Sequence, residues 1–199
     1  MRMDELIERL ASARIGATYN FYRDCDGAAI RRERLLAYLE ARRDAPLLLV
    51  GEAAGYRGAR ISGIPFTSER QLTGSGPAES TATIVHRVLA ELGIEEDALL
   101  WNVVPTHPGT QRSNRRPTLA EVRAGLPFLR ELARGRQTIA VGRLAQSILG
   151  DPYVRHPSHG GAGAFAAGMR ECIAGSPSRS GGAGGRPRRM LCTNVVTGR

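Results

Sequence analysis

A chain of 199 residues suits one compact domain, which at this size buries roughly 70% of the surface its unfolded form exposes. Its 28 basic residues outnumber 19 acidic ones, and every basic residue is arginine, so no side-chain amine exists to form a Schiff base. No apolar run approaches the roughly 20 residues that span a bilayer, and the charged start Met1-Arg2-Met3-Asp4-Glu5 does not read as a secretory signal. A cytoplasmic chain with no membrane partner is expected. Cys25, Cys172 and Cys192 are scattered, never at C-x-x-C spacing. That argues against a zinc knuckle or a four-cysteine iron–sulfur cluster, gives no disulfide framework, and leaves structural thiols as the expectation.

Residues 2–14 carry Leu6, Ile7 and Leu10 at helical spacing, with Asp4 and Glu5 at the favourable N-terminal end. Residues 28–43 read as a second helix, with Ile30, Leu35, Leu36 and Leu39 on one face, stopped by Ala45-Pro46. The continuous apolar run at 47–50 suits a strand covered on both faces. Residues 51–78 hold six glycines with little periodicity, and a loop of that length in a compact domain is usually functional. Helix is expected again over 79–92, capped by Gly93, and a second strand over 99–104. A polar loop follows from Thr106 to Pro117, then a helix over 118–133 opened by Thr118 and Glu121 at capping-box spacing.

Residues 138–141 are the third strand, followed by a short helix to Leu149. A minimal fourth strand is expected at 153–155 and a closing helix at 162–173. Strands alternating with helices predict an α/β fold, a three-layer α/β/α sandwich on a four-stranded parallel sheet. One domain over 1–175 is expected. Residues 176–199 are Gly-, Arg- and Pro-rich with no acid, account for +5 of the net +9, and are expected to be a disordered tail.

Ligands of such sheets gather beyond the carboxyl ends of the strands, where Glu52, Asn102 and His156 all fall. The glycines 51, 55 and 58 fit neither G-x-x-x-x-G-K-[ST] nor G-x-G-x-x-G, which leaves a tight turn or a different kind of site.

Gly51-Glu52-Ala53-Ala54-Gly55-Tyr56-Arg57-Gly58, followed by Gly63-Ile64-Pro65-Phe66, resembles the first motif of the uracil-DNA glycosylase superfamily. The likeness is to branches with G-E-A-P-G and then G-x-P-F. Two further motifs follow in order: Trp101-Asn102-Val103-Val104 resembles the middle motif, and His156-Pro157-Ser158 the final H-P-S. The resemblance spans roughly 45–170. It implies that Phe66 stacks on a base flipped out of the duplex, at a cost of a few kcal/mol. It implies that Asn102 reads the uracil edge, donating to O4 and accepting from N3–H, and that His156 stabilises charge on O2 as the bond breaks. Gly51, Ala53 and Tyr56 are candidates to line the base site, with Ser158 shaping the loop or bonding a phosphate.

The departures from the motifs matter. Ala53 stands where the best-known branch has a water-orienting aspartate, leaving Glu52 as the nearest carboxylate, for water positioning or for structure. Ala54 replaces the motif proline, and Gly58 stands where the G-E-A-P-G branch has a further glutamate. Gly55 replaces the tyrosine that excludes thymine in other members, which leaves that task to Tyr56 or Arg57.

His107 follows the asparagine strand closely enough to reach the pocket and is a secondary candidate for substrate contact, against a surface role. His159 occupies the stretch where relatives insert an apolar wedge into DNA, and His86 reads as structural. Arg57, Arg60, Arg112, Arg115 and Arg116 lie in loops that would face DNA.

The expectation is therefore a monomeric, monofunctional glycosylase that hydrolyses uracil from DNA and leaves an abasic site, with water as nucleophile and no metal or cofactor. One alternative keeps the fold but takes other deaminated or 5-substituted bases. Another binds uracil or abasic DNA without hydrolysis. A small-molecule α/β hydrolase lacks its G-x-S-x-G elbow.

Overall fold

The computed structural model describes residues 2–23 and 26–175; the expected tail at 176–199, Cys25 and Cys192 lie outside the described residues. Helices α1 (Met3–Ser12) and α2 (Ala28–Ala41) precede strand β1 (Leu47–Ala53). Short helices α3 (Ala59–Ser62) and α4 (Glu69–Thr73) interrupt the glycine-rich segment before α5 (Ser80–Glu91) and β2 (Ala98–Val104). A two-residue-a-side hairpin, β3 (Gly109–Thr110) and β4 (Ser113–Asn114), leads to α6 (Leu119–Ala133) and β5 (Gln137–Val141). Helix α7 (Arg143–Leu149), β6 (Tyr153–Val154) and α8 (Ala162–Ala174) complete the described chain.

The main sheet has the order β2-β1-β5-β6, and all its pairings are parallel. Side chains alternate across each strand, so the continuous apolar runs feed two cores at once. Leu48, Val50, Leu99 and Trp101 face the layer of α1, α2, α6 and α7, where Leu6, Leu10, Leu35, Leu39, Leu129 and Leu132 are buried. Leu47, Leu49, Leu100 and Ile139 face α5 and α8, packing with Val85, Leu89, Phe165 and Met169. The result is the three-layer sandwich expected from the alternation of elements.

Two differences from the sequence expectation bear on the site. Strand β1 runs to Ala53, not to residue 50, because Gly51 pairs with Asn102 and Ala53 with Val104 of β2. The polar loop after β2 folds into the β3–β4 hairpin, whose strands are too short to leave an alternating pattern. The chain moves from β1 to β2 on one side and then crosses to β5 on the other, which puts a switch point at β1.

Candidate active site

A cavity of about 440 Å³ opens at the carboxyl ends of the strands, its walls including Glu52, Ala53, Phe66, Asn102, His156 and Ser158. The three ordered motifs thus meet in one place. Asn102 projects from β2 and is 4% exposed, yet its side-chain amide makes no hydrogen bond among the described residues. The amide atoms open onto the cavity, where a base or solvent can complete their hydrogen bonds.

Phe66 and Asn102 approach each other because Gly51 has no side chain. A Cβ on Gly51 would overlap Phe66 Cζ and lie 2.8 Å from Asn102 Oδ1. Gly51 is therefore behind the cavity wall, a spacer for the two groups in front of it.

Phe66 itself has φ +53°, a left-handed conformation that side-chain-bearing residues rarely hold without support. The support is a hydrogen-bonded frame around its loop. The buried Ser62 hydroxyl donates to Thr67 O at 2.7 Å and accepts from Ile64 N at 3.1 Å. Tyr22 OH donates to Gly63 O at 2.8 Å. Thr67 Oγ1 lies 3.1 Å from His86 Nε2, and His86 Nδ1 lies 2.8 Å from Glu95 Oε1. The structural role expected of His86 is thus specific: it ties α5 to the loop that aims Phe66.

His156 follows β6 and is half-buried. Its Nδ1 accepts from the Ser158 backbone N–H at 3.2 Å and lies 2.8 Å from Ser158 Oγ. A backbone N–H can only donate, so Nδ1 offers its lone pair and the neutral ring carries its hydrogen on Nε2. Burial, with the neighbouring His159 adding to it, holds the His156 pKa below its ordinary value. The ring is a neutral donor near pH 7. Ser158 Oγ is also 3.0 Å from His159 Nδ1, so this hydroxyl serves the two histidines. His159 has φ +52° and lies on the exposed rim of the cavity.

Two carboxylates line the cavity. Burial raises the pKa of Glu52 at the end of β1, and the nearby Arg116 charge opposes that rise. Burial also raises the pKa of Glu79, with no opposing charge. The sequence reading did not single out Glu79, nor the wall residues Asn114 and Pro108. The only local signal for Glu79 was an acid next to a helix start. What puts it in the cavity is the absence of side chains at Gly55 and Gly58, far from it in sequence.

Other expected site residues are placed elsewhere. His107 does not line the cavity: it is fully buried, with Nδ1 2.8 Å from Ala54 O and Nε2 2.8 Å from Thr110 O. It clamps the β1 loop to the hairpin, so the expected substrate contact is replaced by a positioning one. Tyr56 is not in the cavity wall and instead lines a separate hollow of about 590 Å³ with Arg57 and Arg112. Its backbone N–H donates to Asn114 Oδ1 at 3.0 Å, while Arg57 lies over its ring at 5.4 Å. Arg60 lies over the Tyr19 ring at 5.3 Å. On the His156 side another hollow of about 420 Å³ has Arg143, Arg155 and Tyr153 in its walls. Among the described residues no group of three His, Cys, Asp or Glu side chains is placed to hold a metal ion.

Comparison with known proteins gives a consistent picture. The crystal structure of wild-type SMUG2 from Pedobacter heparinus superposes with a TM-score of 0.63 at 14% identity, covering 86% of this chain and 96% of that one. That likeness is one of fold. Comparison with curated proteins finds no match. The family profile described as the uracil DNA glycosylase superfamily matches residues 39–181. With most of its length matched, and its three motifs gathered on one cavity, the chain belongs to the uracil DNA glycosylase superfamily.

Proposed function

We propose that this protein is a monofunctional DNA glycosylase that removes uracil by hydrolysis and leaves an abasic site. The observation that carries the reading is the buried, unpartnered amide of Asn102 in the same cavity as a neutral His156 with its Nε2 hydrogen free. An amide presents one donor and one acceptor side by side, which suits uracil O4 and N3–H. Cytosine reverses that pattern, and a base that leaves buried polar groups unpaired can be rejected by about 10⁴–10⁵.

Phe66, held in its strained conformation, offers a flat face to a flipped base. As the C1′–N1 bond breaks, negative charge grows on O2. A positioned donor such as His156 Nε2–H lowers that barrier by roughly 3 kcal/mol. Water is the nucleophile in this reading, because the chain has no lysine for the amine attack of a strand-cleaving lyase. The arginine–tyrosine hollows beside Tyr56 and Tyr153 suit phosphates and bases flanking the lesion.

A second reading, action on deaminated purines, is favoured by the cavity volume of about 440 Å³. Oligonucleotides carrying uracil, hypoxanthine, xanthine or thymine, single- and double-stranded, separate the two. The expected result is release of uracil, leaving a strand that is intact until treated with alkali. Faster release of hypoxanthine or xanthine favours the second reading. Tight binding with no base released contradicts both.

A further inference from the structure

Glu79 is the N-terminal flanking residue of α5, where a carboxylate ordinarily accepts from the first free backbone N–H groups. Its side chain makes no such capping bond. It makes no hydrogen bond or ion pair at all among the described residues, and lines the cavity instead. The room it uses is that of two missing side chains. A Cβ on Gly58 would overlap Glu79 Oε2 and lie 2.8 Å from its Cδ, and a Cβ on Gly55 would overlap Oε1 and lie 3.2 Å from Cδ. The β1 loop that supplies Ala53 and Ala54 to the same walls offers no functional side chain at those positions.

We propose that Glu79 is the general base of the hydrolysis, its carboxylate reaching through the space left by Gly55 and Gly58 to take a proton from the attacking water. This rests on the glycosylase reading above. The C1′–N1 bond breaks with its electron pair leaving on uracil, whose O2 takes the hydrogen bond of His156. The water oxygen bonds to C1′, its proton passes to Glu79, and the departing uracil anion is protonated by solvent. Among the cavity's other titratable groups, Arg116 is a cation, and His156 and His159 share the Ser158 hydroxyl. Glu52 carries the field of Arg116, which favours its anion and weakens it as a base. Glu79 has no such partner, and burial alone raises its affinity for a proton.

The test compares wild type with Glu79→Gln, which keeps the shape and removes the basicity, in single-turnover uracil release. The expected loss is about 10²–10³-fold, with binding to abasic DNA changed less than about twofold. The acid limb of the wild-type profile is expected to include a proton on Glu79, and in Glu79→Gln that step is expected to disappear. Formate restores release to Glu79→Ala. Gly58→Ala, whose methyl displaces the carboxylate, loses a comparable factor, and adding Glu79→Gln to it costs nothing further. Release by Glu79→Gln within about threefold of wild type, or an acid limb unchanged in Glu79→Gln, overturns the proposal while leaving the glycosylase reading standing. A wild type that releases no base from any substrate overturns the glycosylase reading and this proposal with it.

Discussion

The Ser158 hydroxyl lies 2.8 Å from Nδ1 of His156 and 3.0 Å from Nδ1 of His159, and its own backbone N–H donates to the first of these rings. That arrangement orients an imidazole whose hydrogen must sit on Nε2 to be useful. Ser158→Ala removes the hydroxyl but keeps the backbone donor, an interaction of about 1 kcal/mol. It is expected to slow base release by about five- to tenfold and to mix the His156 tautomers in ¹⁵N NMR spectra; an unchanged spectrum and rate would remove Ser158 from the account. Acid acts on the same ring. Because the folded-state pKa is depressed below the ordinary 6.5, the unfolded chain gains a proton first as pH falls. Stability therefore declines from about pH 6.5 down through the folded-state value, below which this contribution is lost. Protonation also places a hydrogen on Nδ1 facing the Ser158 N–H, so activity is expected to decline as pH falls through the folded-state value.

At the scale of elements, the loops around the cavity are held by a few buried polar groups. Glu121, 1% exposed, closes the capping box of α6: its carboxylate accepts from Thr118 N at 2.8 Å and its own backbone N–H donates to Thr118 Oγ1 at 3.3 Å. The same carboxylate takes two bonds from Arg115 at 2.6 and 2.8 Å and one from Ala17 N at 3.2 Å, joining helix start, hairpin exit and the segment after α1. Led by the Arg115 bond, these hold its pKa down at about 2. Its stabilisation is complete above the ordinary 4.5 and is lost as pH falls toward 2. Arg115 is partly exposed, so Glu121→Ala is expected to cost about 2–3 kcal/mol at pH 7 in a urea melt, less at pH 3. An equal cost at both pH values would contradict the assignment. The α6 start was readable because Thr118 and Glu121 stand at a fixed local spacing. The hairpin was not, since two residues per strand carry no period, and neither was the end of β1, whose Gly-Glu-Ala looks like loop until β2 pairs with it.

For the whole molecule, alternation of strand and helix carried the architecture, because buried parallel strands and amphipathic helices leave distinct local patterns. That Asn102, His156, Phe66 and Glu52 gather was legible from their motifs and strand ends: they line one cavity, and the order β2-β1-β5-β6 explains why those ends converge. What stayed hidden depends on distance in sequence. Glu79 enters the cavity through space vacated by two glycines of another loop, and His107 is drawn inward by carbonyls of Ala54 and Thr110. Motifs mark the residues at the strand ends, whereas Glu79 reaches the cavity only because another loop lacks side chains at Gly55 and Gly58. In the proposed reaction the gathered motifs break an N-glycosidic bond with His156 as the donor to the leaving base. The most direct test is single-turnover uracil release from an oligonucleotide by wild type and by His156→Ala. Release by wild type and a loss of about 10²–10³-fold in the variant are expected. Equal rates in the two proteins would contradict that role of His156.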